Sequence, residues 1–409
     1  MKYVIIGNST AGIGAVEGIR QIDQNGEITI ISNEPFHTYS RPLISYSLRG
    51  KVSEENMCYR AADFYEKNNC KLLAGVSVTE VNADKKCIST DDGNSLPYDK
   101  LLVATGSSPF TPPFEGLDTV KNKFTFTTKA DVERVGTLLT KKTNVLIIGA
   151  GLIGLKCAEG MLDKVSNITV VDLSPRILSS ILDDHGAGLM QKHLEGKGIN
   201  FKLSCGVKSF NNNTATFESG ETYEFDILIL AVGVRPNTDL LRDIAEIDKG
   251  IKVNAKSQTS AADIYAAGDC TLSTDISDGQ SKIMALLPNA YMQGECAGIN
   301  MAGGEKSFDK AIPMNAIGFC GLNIITAGNY TGETFEAKEN NIYKRLFYGD
   351  NKLNGYIMID EIQKAGIYTS LIRERTPLDT IDFALICEKP GLMAFSKKDR
   401  ATKLGGEAS

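Results

Sequence analysis

Two short glycine-rich segments of the chain have the spacing of turns that bind the pyrophosphate of a dinucleotide. Their residues are, in chain order, Gly7, Ser9 and Gly12, and then Gly149, Gly151 and Gly154. Glycines at this spacing let the backbone turn tightly and approach a phosphate, whose charge the amides at the start of the next helix bind. A glycine turn that only packs a helix on a sheet is the alternative, and the repetition argues against it. The two turns therefore predict two dinucleotide-binding modules.

An acidic residue follows the second strand of each predicted module. It is Glu34 in the first module and Asp172 in the second. A carboxylate at this position accepts a hydrogen bond from a ribose hydroxyl. Asp172 would also repel a 2′-phosphate, so we expect NADH to be preferred over NADPH. Ser9 replaces the middle glycine of the first turn, so the backbone there must tolerate a side chain and binding is expected to be weaker.

Length and composition limit the classes of protein to consider. At 409 residues and 42% hydrophobic content, the chain is long enough for two or three domains. A net charge of −6 gives no support for nucleic-acid binding. No stretch approaches the ~20 apolar residues of a membrane span, and the first strand begins at residue 3 without a signal segment. We therefore expect a cytoplasmic protein that binds neither nucleic acid nor membranes.

The thiols and imidazoles show no spacing that would form a metal site or a disulfide framework. The chain has nine cysteines and three histidines, and no CxxC motif. Scattered cysteines of this kind are typical of reduced thiols used as small apolar residues. The sequence therefore predicts no metal site.

The segment between the two turns indicates how the modules are connected. A buried-type strand that ends at Gly106 leads into a proline-rich run, and a similar strand and turn recur up to Pro236. We expect an α/β fold of two Rossmann-like domains, the first discontinuous at 1–110 and 237–305 and the second inserted at 111–236. Alternating strands at 341–348 and 353–359 predict a hairpin in a small α+β domain, 306–409, that ends in a loosely ordered tail beyond about 390.

Five motifs in order carry a resemblance to a known family. They are GNSTAG at 7–12, ATG at 104–106, GAGLIG at 149–154, AVGVRPN at 231–237 and IYAAGD at 264–269. In this order they resemble the pyridine nucleotide-disulfide oxidoreductase superfamily. The segment at 39–45 is similar to NADH:rubredoxin reductases and to the FAD/NAD domain of NAD(P)H nitrite reductases.

The resemblance implies FAD in the first module and NAD(H) in the second. Glu34 would bind the adenosine ribose of FAD, Arg41 the diphosphate and Asp269 the ribityl chain. The positions implied at the FAD are Gly7, Ser9, Gly12, Glu34, Arg41, Val78, Ala104, Thr105, Gly106, Gly268, Asp269, Leu286 and Leu287. Those implied at the NAD(H) are Gly149, Gly151, Gly154, Asp172 and Gly233.

Two departures from the family pattern bear on the reaction. No cysteine lies between Glu34 and Val52, where relatives carry a redox-active thiol, so electrons are expected to leave the flavin directly. Relatives also pair a lysine with a glutamate beside the flavin, where this chain has Tyr46 and Lys156. Tyr46 and Lys156 are candidate catalytic residues. Lys156 would act as a cation that favours the reduced flavin, with Glu159 as its partner. The alternative is an ordinary surface lysine.

The resemblance implies an FAD-dependent NADH oxidoreductase that reduces a small iron or iron–sulfur carrier of the rubredoxin or ferredoxin type. Three alternatives stay open, namely an NADH oxidase that makes hydrogen peroxide, the flavin subunit of a nitrite reductase with a partner subunit, and a redox-sensing protein that binds FAD and NADH. An acidic carrier would need a basic docking patch, for which the candidates are Arg41, Arg49, Lys51, Lys397, Lys398, Arg400 and Lys403.

Overall fold

The computed structural model describes residues 1–403 of the chain. Within this range, no helix is both long enough and apolar enough to cross a membrane.

The strands come in three groups along the chain. Before the second glycine turn they are β1 (Lys2–Ile6), β2 (Glu27–Ser32), β3 (Cys70–Ala74), β4 (Val78–Asn82), β5 (Cys87–Thr90), β6 (Ser95–Pro97), β7 (Lys100–Val103), β8 (Ser107–Pro109) and β9 (Lys123–Phe124). They continue as β10 (Asn144–Ile148), β11 (Asn167–Val171), β12 (Ile199–Lys202), β13 (Val207–Asn211), β14 (Thr214–Phe217), β15 (Thr222–Glu224), β16 (Ile227–Leu230) and β17 (Val234–Pro236). The last are β18 (Ile264–Ala266), β19 (Ser273–Thr274), β20 (Ser281–Lys282), β21 (Met314–Phe319), β22 (Leu322–Gly328), β23 (Glu333–Glu339), β24 (Ile342–Gly349) and β25 (Lys352–Ile359).

The α-helices lie between and after these strands. They are α1 (Thr10–Ile22), α2 (Ile44–Leu48), α3 (Phe64–Lys67), α4 (Lys129–Gly136), α5 (Leu152–Met161), α6 (Asp184–Glu195), α7 (Leu287–Met301), α8 (Ala365–Arg373), α9 (Phe383–Glu388) and α10 (Lys397–Lys403).

Two five-stranded sheets carry the two glycine turns. The first has the order β18-β7-β1-β2-β3 and the second the order β12-β11-β10-β16-β9, and all their strand pairs are parallel. Their central strands are continuous runs of Val, Ile and Leu, as expected for parallel strands buried on both faces. The predicted α/β fold with two Rossmann-like sheets is confirmed.

The first sheet is assembled from distant parts of the chain. Strand β18 pairs with β7, although the second sheet lies between them in sequence. The chain leaves and returns through β8 and β17, which pair with each other antiparallel. The two proline-containing segments that the sequence marks as module exits are thus neighbours.

Helices α1 and α7 pack unusually close because glycines face the partner backbone. A Cβ added to Gly18 would lie 2.4 Å from the carbonyl oxygen of Glu295, and one added to Gly298 would lie 2.2 Å from that of Ala15. Contacts this short exclude any side chain. The pair is part of the buried core of the first sheet, which includes Ile13 and Ala297.

The C-terminal sheet is antiparallel, in the order β21-β22-β25-β24-β23. Strands β24 and β25 form the predicted hairpin. Beyond residue 390, a 3-10 helix spans Leu392–Ala394, Phe395 is buried in the C-terminal core, and α10 follows. The loose order of the tail stays a prediction, and residues 404–409 lie outside the described range.

The chain divides into two compact units that cut across the predicted domains. The larger contains both parallel sheets and comprises 1–179, 194–273 and 282–309. The smaller comprises 180–193, 274–281 and the chain from 310 onward. Residues 180–193 join the smaller unit because Asp183 accepts hydrogen bonds from Tyr343 at 2.5 Å and from Arg345 at 2.8 Å. The sequence of β24 gives no sign of these long-range bonds.

Candidate functional site

The first glycine turn joins β1 to α1 at the carboxyl edge of the first sheet. Gly7 has a φ of +120°, and a Cβ added to it would lie 2.1 Å from the carbonyl oxygen of Ala104, just after β7. A Cβ added to Gly12 would lie 2.0 Å from the carbonyl oxygen of Gly7. Glycine is required at both positions so that the turn, the helix and the neighbouring strand can pack this closely.

Ser9, the substituted middle position of this turn, is the N-cap of α1, with φ −107° and ψ −165°. This is extended backbone that any residue adopts, so the serine introduces no strain. Gly151 is the N-cap of α5 in the second turn, with φ −83° and ψ −173°. The two N-cap residues have similar backbone angles, so the backbone at Ser9 tolerates a side chain, and the weaker binding stays a prediction.

The second turn repeats the packing of the first. Gly149 has a φ of +112°, and a Cβ added to it would lie 2.2 Å from the carbonyl oxygen of Ala231, just after β16. A Cβ added to Gly154 would lie 1.9 Å from the carbonyl oxygen of Gly149. At the end of β11, the Asp172 carboxylate accepts hydrogen bonds from the amides of Ala150 at 2.6 Å and Ser174 at 2.7 Å. Asp172 therefore also fixes the turn itself.

Open space beside three glycines fits the dinucleotides that the sequence predicts. No atom lies within 4 Å of a Cβ added to Gly106, Gly151 or Gly233. Gly106 follows β7 with a φ of +68°, and Gly233 follows β16 with a φ of +108°, so they hold equivalent places in the two sheets. Each sheet edge thus combines a tight turn, a helix N-terminus and room for an approaching group, which suits a pyrophosphate.

Glu34 and Arg41, both predicted at the FAD, contact each other. The Arg41 guanidinium forms an ion pair with Glu34 and also donates to the carbonyl oxygen of Thr127 at 3.0 Å. The second carboxylate oxygen of Glu34 accepts from the hydroxyl of Tyr39 at 2.7 Å. The structure thus places Glu34, the predicted ribose ligand, against Arg41, the predicted diphosphate ligand. Tyr39, for which the sequence indicates no role, also contacts Glu34.

Asp269 lies after β18, at the same sheet edge as the residues that follow β7. Its carboxylate accepts from the hydroxyl of Ser107 at 3.2 Å. Burial raises the pKa of Asp269, and the Ser107 bond and the nearby Arg41 charge oppose that shift. Gly268, with a φ of +84°, donates its amide to the side chain of Gln293 on α7 at 2.8 Å. This bond fixes the approach of the chain to Asp269.

Thr105 forms hydrogen bonds with Asn237, the residue at which the chain returns to the first module. Its hydroxyl donates to the carbonyl oxygen of Asn237 at 2.7 Å, and the Asn237 side chain donates to the carbonyl oxygen of Thr105 at 2.9 Å. Asn237 and Gln293 are supporting residues that the sequence motifs alone do not identify. The position of Asn237 at the end of the AVGVRPN motif was an available signal.

The remaining predicted FAD positions lie on separate elements. Leu286 is the N-cap of α7 and Leu287 its first residue, so both lie at the start of that helix. Val78 lies on β4 and packs against a buried cluster that includes Val81 and Ile88. Its packing gives Val78 a structural role, and its contact with FAD stays a prediction.

Lys156 and Tyr46, the two candidate catalytic residues, contact each other between α5 and α2. The Lys156 ammonium lies 3.0 Å from the Tyr46 hydroxyl, 4.3 Å from the centre of its ring and 2.6 Å from the Glu159 carboxylate. Arg49 lies 3.9 Å from the same carboxylate and 2.9 Å from Asp163. The pairing of Lys156 with Glu159 is confirmed. Arg49 thus pairs with two acidic side chains, and its part in a docking patch stays a prediction.

The cysteines adjacent to predicted site residues are not activated for thiol chemistry. Cys157 is fully buried beside Lys156, and burial raises its pKa well above the usual value. Burial likewise raises the pKa of Cys270, which follows Asp269, to about 11. A thiolate is the nucleophilic form, so both residues are unreactive near neutral pH. Within residues 1–403, His, Cys, Asp and Glu side chains form no group able to hold a metal ion.

Comparisons with known proteins agree with this geometry. Residues 1–294 match the family described as pyridine nucleotide-disulphide oxidoreductase. The chain is 31% identical over 391 residues to the NADH-dependent phenylglyoxylate dehydrogenase subunit epsilon of Aromatoleum evansii, covering 92% of each chain. It is 26% identical to the NADH-rubredoxin oxidoreductase of Clostridium acetobutylicum, covering 88% of this chain and 91% of that one.

Two further matches differ in what they cover. The chain is 30% identical to the assimilatory nitrate reductase electron transfer subunit of Bacillus subtilis, over 91% of this chain but about half (49%) of that protein. The crystal structure of a covalent putidaredoxin reductase–putidaredoxin complex superposes with a TM-score of 0.87 at 22% identity, covering 95% of this chain and 96% of that one. The second match shows the fold alone.

The family match covers more than two thirds of the chain and includes both glycine turns. It confirms the predicted enzyme class, an FAD-dependent NAD(P)H oxidoreductase, and the predicted cofactors FAD and NAD(H). The chain therefore belongs to the pyridine nucleotide-disulphide oxidoreductase family.

Proposed function

We propose that this protein transfers electrons from NADH through FAD to a small iron or iron–sulfur carrier, without a redox-active thiol. The observation that carries the proposal is the combination of two dinucleotide-type turns with the lack of any cysteine between Glu34 and Val52, where relatives carry a redox-active thiol. Cys157 and Cys270, next to predicted site residues, are buried and unactivated. FAD supplies the required chemistry when bound, because it accepts two electrons as a hydride and releases them one at a time.

In this proposal the two sheet edges hold the two cofactors. The amides of the first turn and of α1 bind the FAD pyrophosphate, Glu34 binds the ribose, and Arg41 supplies positive charge beside the diphosphate. Asp269 accepts from the ribityl chain, and the turn at Gly149 with Asp172 binds NAD(H). The cluster of Lys156, Tyr46 and Glu159 places paired charges where α5 meets α2.

One relative supports the choice of acceptor, and a second supports a partner enzyme. The Clostridium relative is named for rubredoxin, and the Aromatoleum relative is named as a subunit of an NADH-dependent phenylglyoxylate dehydrogenase. The carrier in our proposal is thus a small iron protein, either free or held by a partner enzyme. The cytoplasmic location that the sequence predicts belongs to the same proposal.

Steady-state assays with different acceptors test the proposal. NADH oxidation is measured with purified rubredoxin, with a ferredoxin-type protein, with dissolved oxygen and with a small disulfide. We expect rapid turnover with at least one iron protein and little with the others. Fast oxygen reduction with stoichiometric hydrogen peroxide would favour the NADH oxidase instead. Tight binding of FAD and NADH with slow turnover on every acceptor would favour the redox-sensing alternative.

A further inference from the structure

The Tyr39 hydroxyl connects the predicted ribose ligand of the first module to the beginning of a helix in the second. It donates to Glu34 at 2.7 Å and accepts from the backbone amide of Lys129 at 3.0 Å. Burial raises the pKa of Tyr39, so the hydroxyl remains a neutral donor under physiological conditions. Phe36 and the Arg41 guanidinium contact its ring, with centre distances of 6.3 Å and 5.4 Å. The ring is thus fixed on two sides.

The amide of Lys129 has no partner within its own helix. It is the first residue of α4, and the first four amides of a helix lack intrahelical acceptors. The Thr128 side chain caps the helix by accepting from the Asp131 amide at 3.1 Å. Tyr39 provides the corresponding acceptor for Lys129, although it lies 90 residues away in sequence. The start of α4 therefore depends on a side chain from the first module.

Glu34 can bind a ribose without losing the hydrogen bonds that it accepts from Arg41 and Tyr39. Each carboxylate oxygen has two acceptor sites, and the structure uses one on each oxygen, for Arg41 and for Tyr39. The remaining sites are available to ribose hydroxyls. Two donors that fix the carboxylate before binding reduce the conformational freedom that binding must remove.

We propose that Tyr39 is a positioning residue for FAD, which orients Glu34 towards the ribose and links the FAD site to the first turn of α4. The inference rests on the proposed function, because it takes Glu34 to be the ribose ligand. It adds a residue to that site and a physical connection between the two nucleotide modules.

The test compares Tyr39→Phe with Tyr98→Phe in the full chain. Tyr98 is a matched control because it is also in the first module and its buried hydroxyl has no hydrogen-bond partner in the described structure. FAD release from the purified holoenzyme is followed after dilution by the increase in flavin fluorescence. Loss of a hydrogen bond to a charged group should make release roughly tenfold faster in Tyr39→Phe. Tyr98→Phe should match the wild type.

Two further readouts separate positioning from general destabilisation. Hydrogen exchange at the Lys129 amide should accelerate in Tyr39→Phe alone, while the amide of Asp131 keeps its protection. Added FAD should restore turnover with an unchanged KM for NADH. Equal FAD release and equal Lys129 exchange in wild type and Tyr39→Phe would overturn the inference. A wild type that holds no FAD would instead overturn the proposed function.

Discussion

The carboxylate of Asp172 accepts hydrogen bonds from the amides of Ala150 and Ser174, so one side chain stabilises the turn and places negative charge beside it. The sequence predicts the acid from its position after β11. It does not predict that both oxygens are used by the backbone, because that depends on how the turn folds back over the strand end. A substitution at this position therefore changes the turn as well as the charge, and its control must also lose charge at a carboxylate that accepts a backbone amide.

Asp172→Asn changes both roles together, because asparagine loses the charge and keeps only one of the two oxygen acceptors that the backbone amides use. We expect the wild type to prefer NADH, and the variant to lose about 10- to 100-fold in kcat/KM for NADH while its activity with NADPH is retained or improved. Asp226→Asn is the matched control, since Asp226 accepts a backbone amide at the opposite end of the sheet. Equal efficiencies with the two coenzymes in the wild type would contradict the assignment of Asp172.

Substitutions of Lys156 and of Glu159 should shift the midpoint potential of the bound FAD in opposite directions. Replacing Lys156 with methionine leaves the Glu159 charge less compensated, which disfavours the reduced flavin if the pair is near it. Glu159→Gln has the reverse effect. We expect the midpoint potential of the bound FAD to fall in the first variant and rise in the second, by ~30 mV or ~1.4 kcal/mol for the two-electron couple. Unchanged potentials in both would mean that the pair only joins α5 to α2.

The elements that hold the site follow from local sequence patterns, whereas their long-range contacts do not. Apolar runs followed by glycine predict β1, α1, β10 and α5, since strand, turn and helix are encoded by neighbouring residues. The close packing of α1 on α7 depends on glycines that are far apart in sequence. The small residues of α7 are visible in the sequence, but their partners on α1 become identifiable only in the fold.

Gly298→Ala tests this packing. The new methyl group would lie 2.2 Å from the carbonyl oxygen of Ala15, so α1 and α7 must separate. Such overpacking costs about 1–3 kcal/mol in the free energy of unfolding, and FAD retention should decline with it because α1 carries the first turn. Gly366→Ala in α8 is the control, because nothing lies within 4 Å of its Cβ position. It should be neutral or stabilising by up to about 1 kcal/mol. Equal melting curves for the two variants would contradict close helix contact.

At the scale of the whole molecule, repeated motifs predict two modules and an added C-terminal domain. The sequence cannot assign residues 180–193 to the C-terminal unit, because the bonds of Asp183 to β24 join positions about 160 residues apart. The sequence is equally unable to predict which basic side chains are exposed and which are paired. The net charge of −6 is evident, but the structure is needed to find that Arg49 is bound by Asp163 while Lys51 is exposed.

Salt dependence tests whether local positive charge assists docking of an acidic carrier. Electrostatic steering raises association rates by ~10–1000-fold and weakens as the screening length falls to ~10 Å at 0.1 M salt. Carrier reduction should therefore slow with salt, while reduction of the flavin by NADH changes little. Lys51→Glu should weaken the salt effect, and Lys85→Glu, at the exposed turn between β4 and β5, should leave it unchanged. A salt-independent rate in the wild type would refute steered docking.

The most direct test of the central claim is an anaerobic titration of the FAD-loaded protein with NADH, followed by flavin absorbance. An enzyme without a redox-active thiol stores two electrons per FAD, so one equivalent of NADH should bleach the flavin completely. The reduced protein should then return to its oxidised spectrum on mixing with an oxidised iron carrier. A requirement for two equivalents of NADH, with new thiols detected at the end point, would show a redox disulfide and contradict the account.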